Sequence, residues 1–230
     1  MTRTLSPAKL VFTVCYLALW PVLVLALAGD WGWVAGWLFN LWFVSVCVAT
    51  ITWLFRKDPA LLAERFRRPG TGGQSSRDAL IVYALVIGFV LWIVLMPLDA
   101  KRFHWTPALP LHLNIIGGGL LLLAWVFMFR SFTDNPFLSP LVRIQDERGH
   151  RVVTSGVYGV VRHPMYLGAV LMFVGAPLLT GSAAALIAGV VLALLLAIRI
   201  VSEEQLLIAD LPGYDEYRQR VRYRLVPFIW

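Results

Sequence analysis

The segment Tyr158 to Leu167, Tyr-Gly-Val-Val-Arg-His-Pro-Met-Tyr-Leu, sets a guanidinium, an imidazole and two phenols directly against a long apolar run. Arginine can hold a carboxylate or another anion through two parallel donors, and histidine can exchange a proton near neutral pH. Pro164 suits the first turn of a helix, whose free N–H groups can also seat an anion. Glu203-Glu204 closes the next apolar stretch. Acidic groups near the last turn of a helix oppose its dipole, so this pair points to a cation or ammonium partner. Simpler readings are a helix start with a charge anchor for the triplet and a solvated helix end for the glutamates. Tyr214 and Tyr217, three apart, share a helical face and can cover the mouth of such a site. The basic tail around them can equally lie on anionic headgroups.

The elements that must position these groups are membrane helices. Of 230 residues, 59% are hydrophobic and only 14% charged, against about a quarter charged in soluble domains. The expected fold is an all-α polytopic integral membrane protein. Six stretches approach the ~20 apolar residues a span requires: 10–28, 31–55, 79–97, 110–130, 164–180 and 183–201. The first follows Arg3 and Lys9 and contains Ala26-Leu27-Ala28, but its apolar core exceeds a secretory h-region, so it is expected as a retained helix. Eighteen of the twenty Lys and Arg residues fall on one side of this arrangement, and only Lys101 and Arg102 on the other. Both termini are therefore expected in the cytoplasm.

Spans 164–180 and 183–201 are separated only by Gly181-Ser182 and read as a helical hairpin. A hairpin returns its ends to one side, which brings Arg162 and His163 to Glu203 and Glu204. Arg199 precedes Glu203 by four residues and would share its helical face. The helix can run past Glu203 to Leu211, where Pro212-Gly213 stops it. Within 132–163, Asn135-Pro136-Phe137 with Val142-Arg143-Ile144-Gln145 is too apolar for a free loop and is expected along the membrane surface or folded over a site. The 56–78 loop is Arg-, Gly- and Ser-rich around Pro69-Gly70-Thr71-Gly72-Gly73. One integrated domain is expected, with four spans in 1–130 and the chemistry in 131–230.

Cys15 and Cys47 lie in separate apolar runs and read as packing residues, and with no clustered histidines no metal site is expected. The net charge of +7 sits at membrane edges, so nucleic acid is not an expected partner. His104, His112 and His150 are isolated and receive no role.

Thr154-Ser155-Gly156-Val157-Tyr158, Arg162-His163-Pro164-Met165-Tyr166-Leu167-Gly168, Glu203-Glu204, Gly213-Tyr214-Asp215-Glu216-Tyr217 and the Pro227-Phe228-Ile229 ending form an ordered set over residues 130–230. This set resembles the isoprenylcysteine carboxyl methyltransferase and related phospholipid methyltransferase family. Asp58-Pro59-Ala60-Leu61-Leu62-Ala63-Glu64-Arg65 looks like a variant in its bacterial members. The resemblance implies an S-adenosylmethionine-dependent enzyme with a cytoplasmic carboxy-terminal cofactor-binding segment and a lipophilic or lipidated acceptor drawn from the membrane. It implies cofactor contacts from Gly156, Val157, Tyr158, His163, Tyr166, Leu167, Glu204, Tyr214 and Tyr217, and catalytic roles for Arg162 and Glu203. Carboxylate, phospholipid amine, thiol and isoprenoid acceptors all stay open. Rival readings are a nicotinamide-dependent enzyme like the sterol reductases, which share the Arg-His-Pro triplet, and a transporter or scaffold.

Overall fold

The computed structural model describes residues 7–71 and 73–230, with side chains from residue 12 onward. Arg3, Gly72 and the Lys9 side chain lie outside the described residues. The described chain is helical: α1 (Pro7–Ala28), α2 (Val34–Lys57), α3 (Pro59–Glu64), α4 (Ser76–Pro97), α5 (Leu111–Asp134), α6 (Pro164–Thr180), α7 (Ala183–Asp210) and α8 (Tyr214–Arg220). Four of these segments, Val34–Lys57, Ser76–Phe103, Leu111–Asp134 and Ala183–Asp210, are long and apolar enough to cross a membrane. Phe12–Ala28 and Pro164–Thr180 are shorter apolar helices. Leu41, Leu80, Leu122, Ile187 and Leu194 are exposed on the outer faces. Such a surface would be a liability in water and is the expected one in lipid. The molecule is an integral membrane protein.

One buried apolar cluster joins the six long helices through Trp20, Phe39, Trp92, Leu121, Phe173 and Leu192. Two buried tryptophans bridge helices by polar contacts: Trp42 Nε1 donates to Leu121 O at 2.6 Å and Trp92 Nε1 to Ala185 O at 2.9 Å. Helices α5 and α6 meet backbone to backbone, because Gly117 and Gly175 leave no side chain between them. A Cβ on Gly117 would overlap Gly175 O and Leu179 N. Small residues at such crossings are what lets membrane helices approach this closely. Of the three glycines at 117–119, only Gly117 makes a contact this close.

The α6–α7 hairpin turns at Gly181, in the left-handed conformation, whose N–H donates to Pro177 O at 2.8 Å. Ser182 caps α7 by accepting from Ala185 N at 3.0 Å, and its hydroxyl donates to buried Asp99 at 2.6 Å. Asp99 lies on a π-helical turn that extends α4. Lys101 pairs with Asp30 at 2.9 Å at this same end of the bundle. The opposite end gathers the C-termini of α2, α5 and α7 and the N-termini of α4 and α6, and there the polar residues collect.

Candidate active site

His163 caps α6 and Pro164 opens it. The backbone N–H groups of Arg162 and His163, which a helix start leaves unpaired, donate to Tyr223 O and Arg224 O, each at 2.9 Å. The tail after α8 is thereby tied to the hairpin mouth. The Arg162 side chain repeats the tie, with Nη1 donating to Val221 O and Arg222 O at 2.8 Å. Its Nε donates to Glu204 Oε1 at 2.6 Å, His163 Nε2 lies 3.2 Å from the same oxygen, and Arg224 Nε meets Glu204 Oε2 at 2.7 Å. Glu204 is thus a buried anchor joining α6, α7 and the tail.

Glu203 points elsewhere, since successive residues on a helix project about 100° apart. Its Oε2 accepts from Tyr166 Oη at 2.6 Å, and the Tyr166 ring stacks on His163 with centroids 5.6 Å apart. Arg199 lies 5.8 Å above the Tyr166 ring. It shares this neighbourhood with Glu203, as the spacing of four suggested, but its ion pair goes to Asp78 of α4 at 3.0 Å. The same guanidinium donates to Pro140 O.

Pro140 belongs to a strap, residues 135–153, that folds over the site. Buried Gln145 donates to Phe137 O at 2.6 Å, and Arg143 is clamped between Glu64 of α3 at 3.0 Å and Glu147 at 2.6 Å. His150 packs on Phe137 with ring centroids 4.7 Å apart. Beneath the strap lies a cavity of about 500 Å³. Tyr158, Arg162, His163, Tyr166, Glu203, Tyr214 and Tyr217 line one part of it. Val82, Leu85, Val86, Phe89, Phe173 and Leu196 line another, between α4, α6 and α7.

Tyr217 Oη donates to Tyr158 O at 2.7 Å, and Tyr214 meets Tyr217 edge to face at 5.6 Å. Tyr214 Oη is buried without a protein hydrogen-bond partner. Burial pushes the Tyr158, Tyr214 and Tyr217 phenols above their ordinary range, so they remain protonated donors at neutral pH. Glu204, Gly156, Val157 and Leu167 do not line the cavity. Val157 N donates to Asp134 at 3.0 Å, and the left-handed Gly156 presses against the Asp134 carboxylate. Leu167 packs with Val161, Ile200 and Leu225 behind the corner. Arg65, Arg143, His150 and Arg199, to which sequence reasoning gave no site role, also line the cavity. A carboxylate at the start of α4 and another at the end of α3 were the available signals for two of their ion pairs, Asp78–Arg199 and Glu64–Arg143.

Comparison with known proteins follows the same corner. The phospholipid methyltransferase family pattern matches residues 113–210. Protein-S-isoprenylcysteine O-methyltransferase B of Arabidopsis thaliana is 34% identical over 157 residues, 67% of this chain and 76% of that protein. A probable protein-S-isoprenylcysteine O-methyltransferase of Oryza sativa subsp. indica is 29% identical over 133 residues, 57% of this chain and 66% of its own. A Delta(14)-sterol reductase of Mus musculus is 33% identical over 105 residues, but these are only 25% of that longer protein and 44% of this chain. The match to the Arabidopsis protein extends well beyond the hairpin, and the chain belongs to the isoprenylcysteine carboxyl and phospholipid methyltransferase family of membrane methyltransferases.

Proposed function

We propose that this protein is an S-adenosylmethionine-dependent carboxyl methyltransferase whose acceptor carries an apolar tail. The observation that carries the reading is the two-sided cavity: polar groups at the hairpin mouth and apolar walls between α4, α6 and α7. The names of the plant relatives point to a prenylated cysteine as the acceptor class. The concentration of basic residues at the site end of the bundle supports a cytoplasmic active site.

The lining fits the cofactor. Glu203 offers a carboxylate for its ammonium group, and Tyr214 Oη, buried and unpaired by protein, offers a hydrogen bond to a ligand. The stacked His163 and Tyr166 rings suit a cation nearby. When bound, S-adenosylmethionine supplies a methyl group on a sulfonium, so a carboxylate oxygen gains the C–O bond as the C–S electron pair returns to sulfur. A carboxylate is already ionised at neutral pH and needs no base. The protein's share is then to align the acceptor and exclude water. Glu203 and Tyr166 would hold the ammonium end, and Tyr158, Tyr214 and Tyr217 would surround the rest of the cofactor. Glu204 fixes Arg162 and His163 in place behind them, and the strap closes the cavity.

The test uses the purified full chain in lipid vesicles, methyl-labelled S-adenosylmethionine and an N-acetylated S-prenylcysteine. Label released as methanol by alkali identifies a methyl ester and supports the proposal. Alkali-stable label on a phospholipid or thiol would reassign the acceptor. Binding of NADPH in preference to S-adenosylmethionine would move the protein toward the reductase reading.

A further inference from the structure

Four arginines besides Arg151 reach the cavity wall, and three of them are already paired. Arg143 is held by Glu64 and Glu147, Arg162 by Glu204, and Arg199 by Asp78. Neither Arg65 nor Arg151 has a carboxylate partner among the described residues, and of the two it is Arg65 that is held against an aromatic ring. Its guanidinium sits 5.1 Å from the centre of the Phe132 ring, whose apolar cluster also takes in Met165, the neighbour of Tyr166. It is therefore a placed cation rather than a loose one.

The sequence around it explains the placement. Asp58 caps α3 by accepting from Leu61 N at 2.8 Å, Pro59 opens the helix, and Leu61 and Leu62 are buried in the Phe132 cluster. Arg65 follows the last residue of this anchored helix, at the site end of the bundle. The Asp-Pro-Ala-Leu-Leu-Ala-Glu-Arg motif thus builds a short arm whose end is Arg65. Glu64, one residue earlier, is occupied by Arg143, Arg67 and Ser139 and cannot neutralise it.

Arg162, the residue that the triplet offers for holding a carboxylate, is largely committed already: Nε donates to Glu204 and Nη1 to two tail carbonyls. We propose that Arg65 is the seat for the acceptor's carboxylate, and that it selects an apolar-tailed acid over its neutral counterpart. The inference rests on the methyl-transfer reading and names the residue that recognises its substrate. A planar guanidinium holds a carboxylate in a defined orientation, with the apolar tail directed along the α4, α6 and α7 walls.

The experiment is equilibrium binding to the full chain in lipid vesicles, with an N-acetylated S-prenylcysteine and its carboxamide as probes and no turnover required. Wild type should prefer the acid. R65Q should lose about tenfold to a hundredfold in affinity for the acid, with the carboxamide and S-adenosylmethionine affinities unchanged. R65K should recover part of the preference, and R151Q should keep all of it. An acid preference that survives in R65Q, or collapses in R151Q instead, overturns the role of Arg65 and leaves methyl transfer intact. A wild type that binds neither probe overturns both.

Discussion

Glu203 and Glu204 are adjacent in the chain, yet one carboxylate lines the cavity with Tyr166 while the other is enclosed by Arg162, His163 and Arg224. The two should separate cleanly in experiment. Removing one partner from a buried ion pair typically costs about 3–5 kcal/mol, because the remaining charge is left unpaired. E204A should therefore lower the melting temperature sharply. E203Q should melt near wild type and lose roughly tenfold or more in S-adenosylmethionine affinity, as expected for a lost hydrogen bond to a charged group. Equal melting temperatures for the two variants would remove the distinction.

Arg162 holds the tail through geometry as well as charge. Lysine at this position keeps the charge but cannot reach Glu204 and two carbonyls at once. R162K should leave the helices intact and expose residues 221–225 to proteolysis. An unchanged digestion pattern would show that the backbone bonds alone retain the tail.

Acid should loosen the strap in two stages. Burial, aided by the charge of Arg143, holds His150 below its ordinary 6.5. The unfolded strap takes that proton first, so its stability is full above 6.5 and declines as pH falls below it. Glu147, bonded to Arg143, is held down to about 2 from an ordinary 4.5. Its contribution is present above 4.5 and is lost as pH falls toward 2. Hydrogen exchange of residues 137–153, corrected for intrinsic rates, should show both stages. H150N should abolish the upper one and E147Q the lower, and a single transition surviving in both variants would contradict the assignment.

The α5–α6 crossing should tolerate no side chain. G117V would force apart two backbones in contact, and overpacking of this kind costs roughly 1–3 kcal/mol. Thermal unfolding in detergent measures it. G119V, where no neighbour stands within 4 Å of an added Cβ, should be close to neutral and serves as the control.

Much of this was legible before any coordinates. Ser182 and Gly181 mark the hairpin, and the hairpin alone brings Arg162 and His163 to a glutamate pair. Pro212-Gly213 marks the end of α7, which stops at Asp210. The folding of residues 135–145 over the site was one of two expected outcomes, chosen by the buried Gln145 and clamped Arg143. The facing of each glutamate was not legible, because helix rotation is set by packing with neighbours that sequence spacing does not name. Arg199 shows why local pairing rules fall short. A partner four residues away was available, but Asp78 at the start of α4 meets the same guanidinium across 121 positions. A long side chain follows the rigid carboxylate that tertiary packing delivers. The arm carrying Arg65 was visible as a motif, but only the cavity gave it a purpose.

The bonds from Arg162 N and His163 N to the carbonyls of Tyr223 and Arg224 involve no side chain. Alanine at any of these four positions leaves them standing, so a side-chain scan reads only the ties that Arg162 and Arg224 add through Glu204 and misses the backbone pairing beneath them. The dependence becomes visible only when an N–H is deleted. Proline at 162 or 163, or an ester in place of either amide, is the perturbation that reads it. Residue type at 223 can accordingly change while the chain keeps the same path, a constraint carried by shape and invisible to letters.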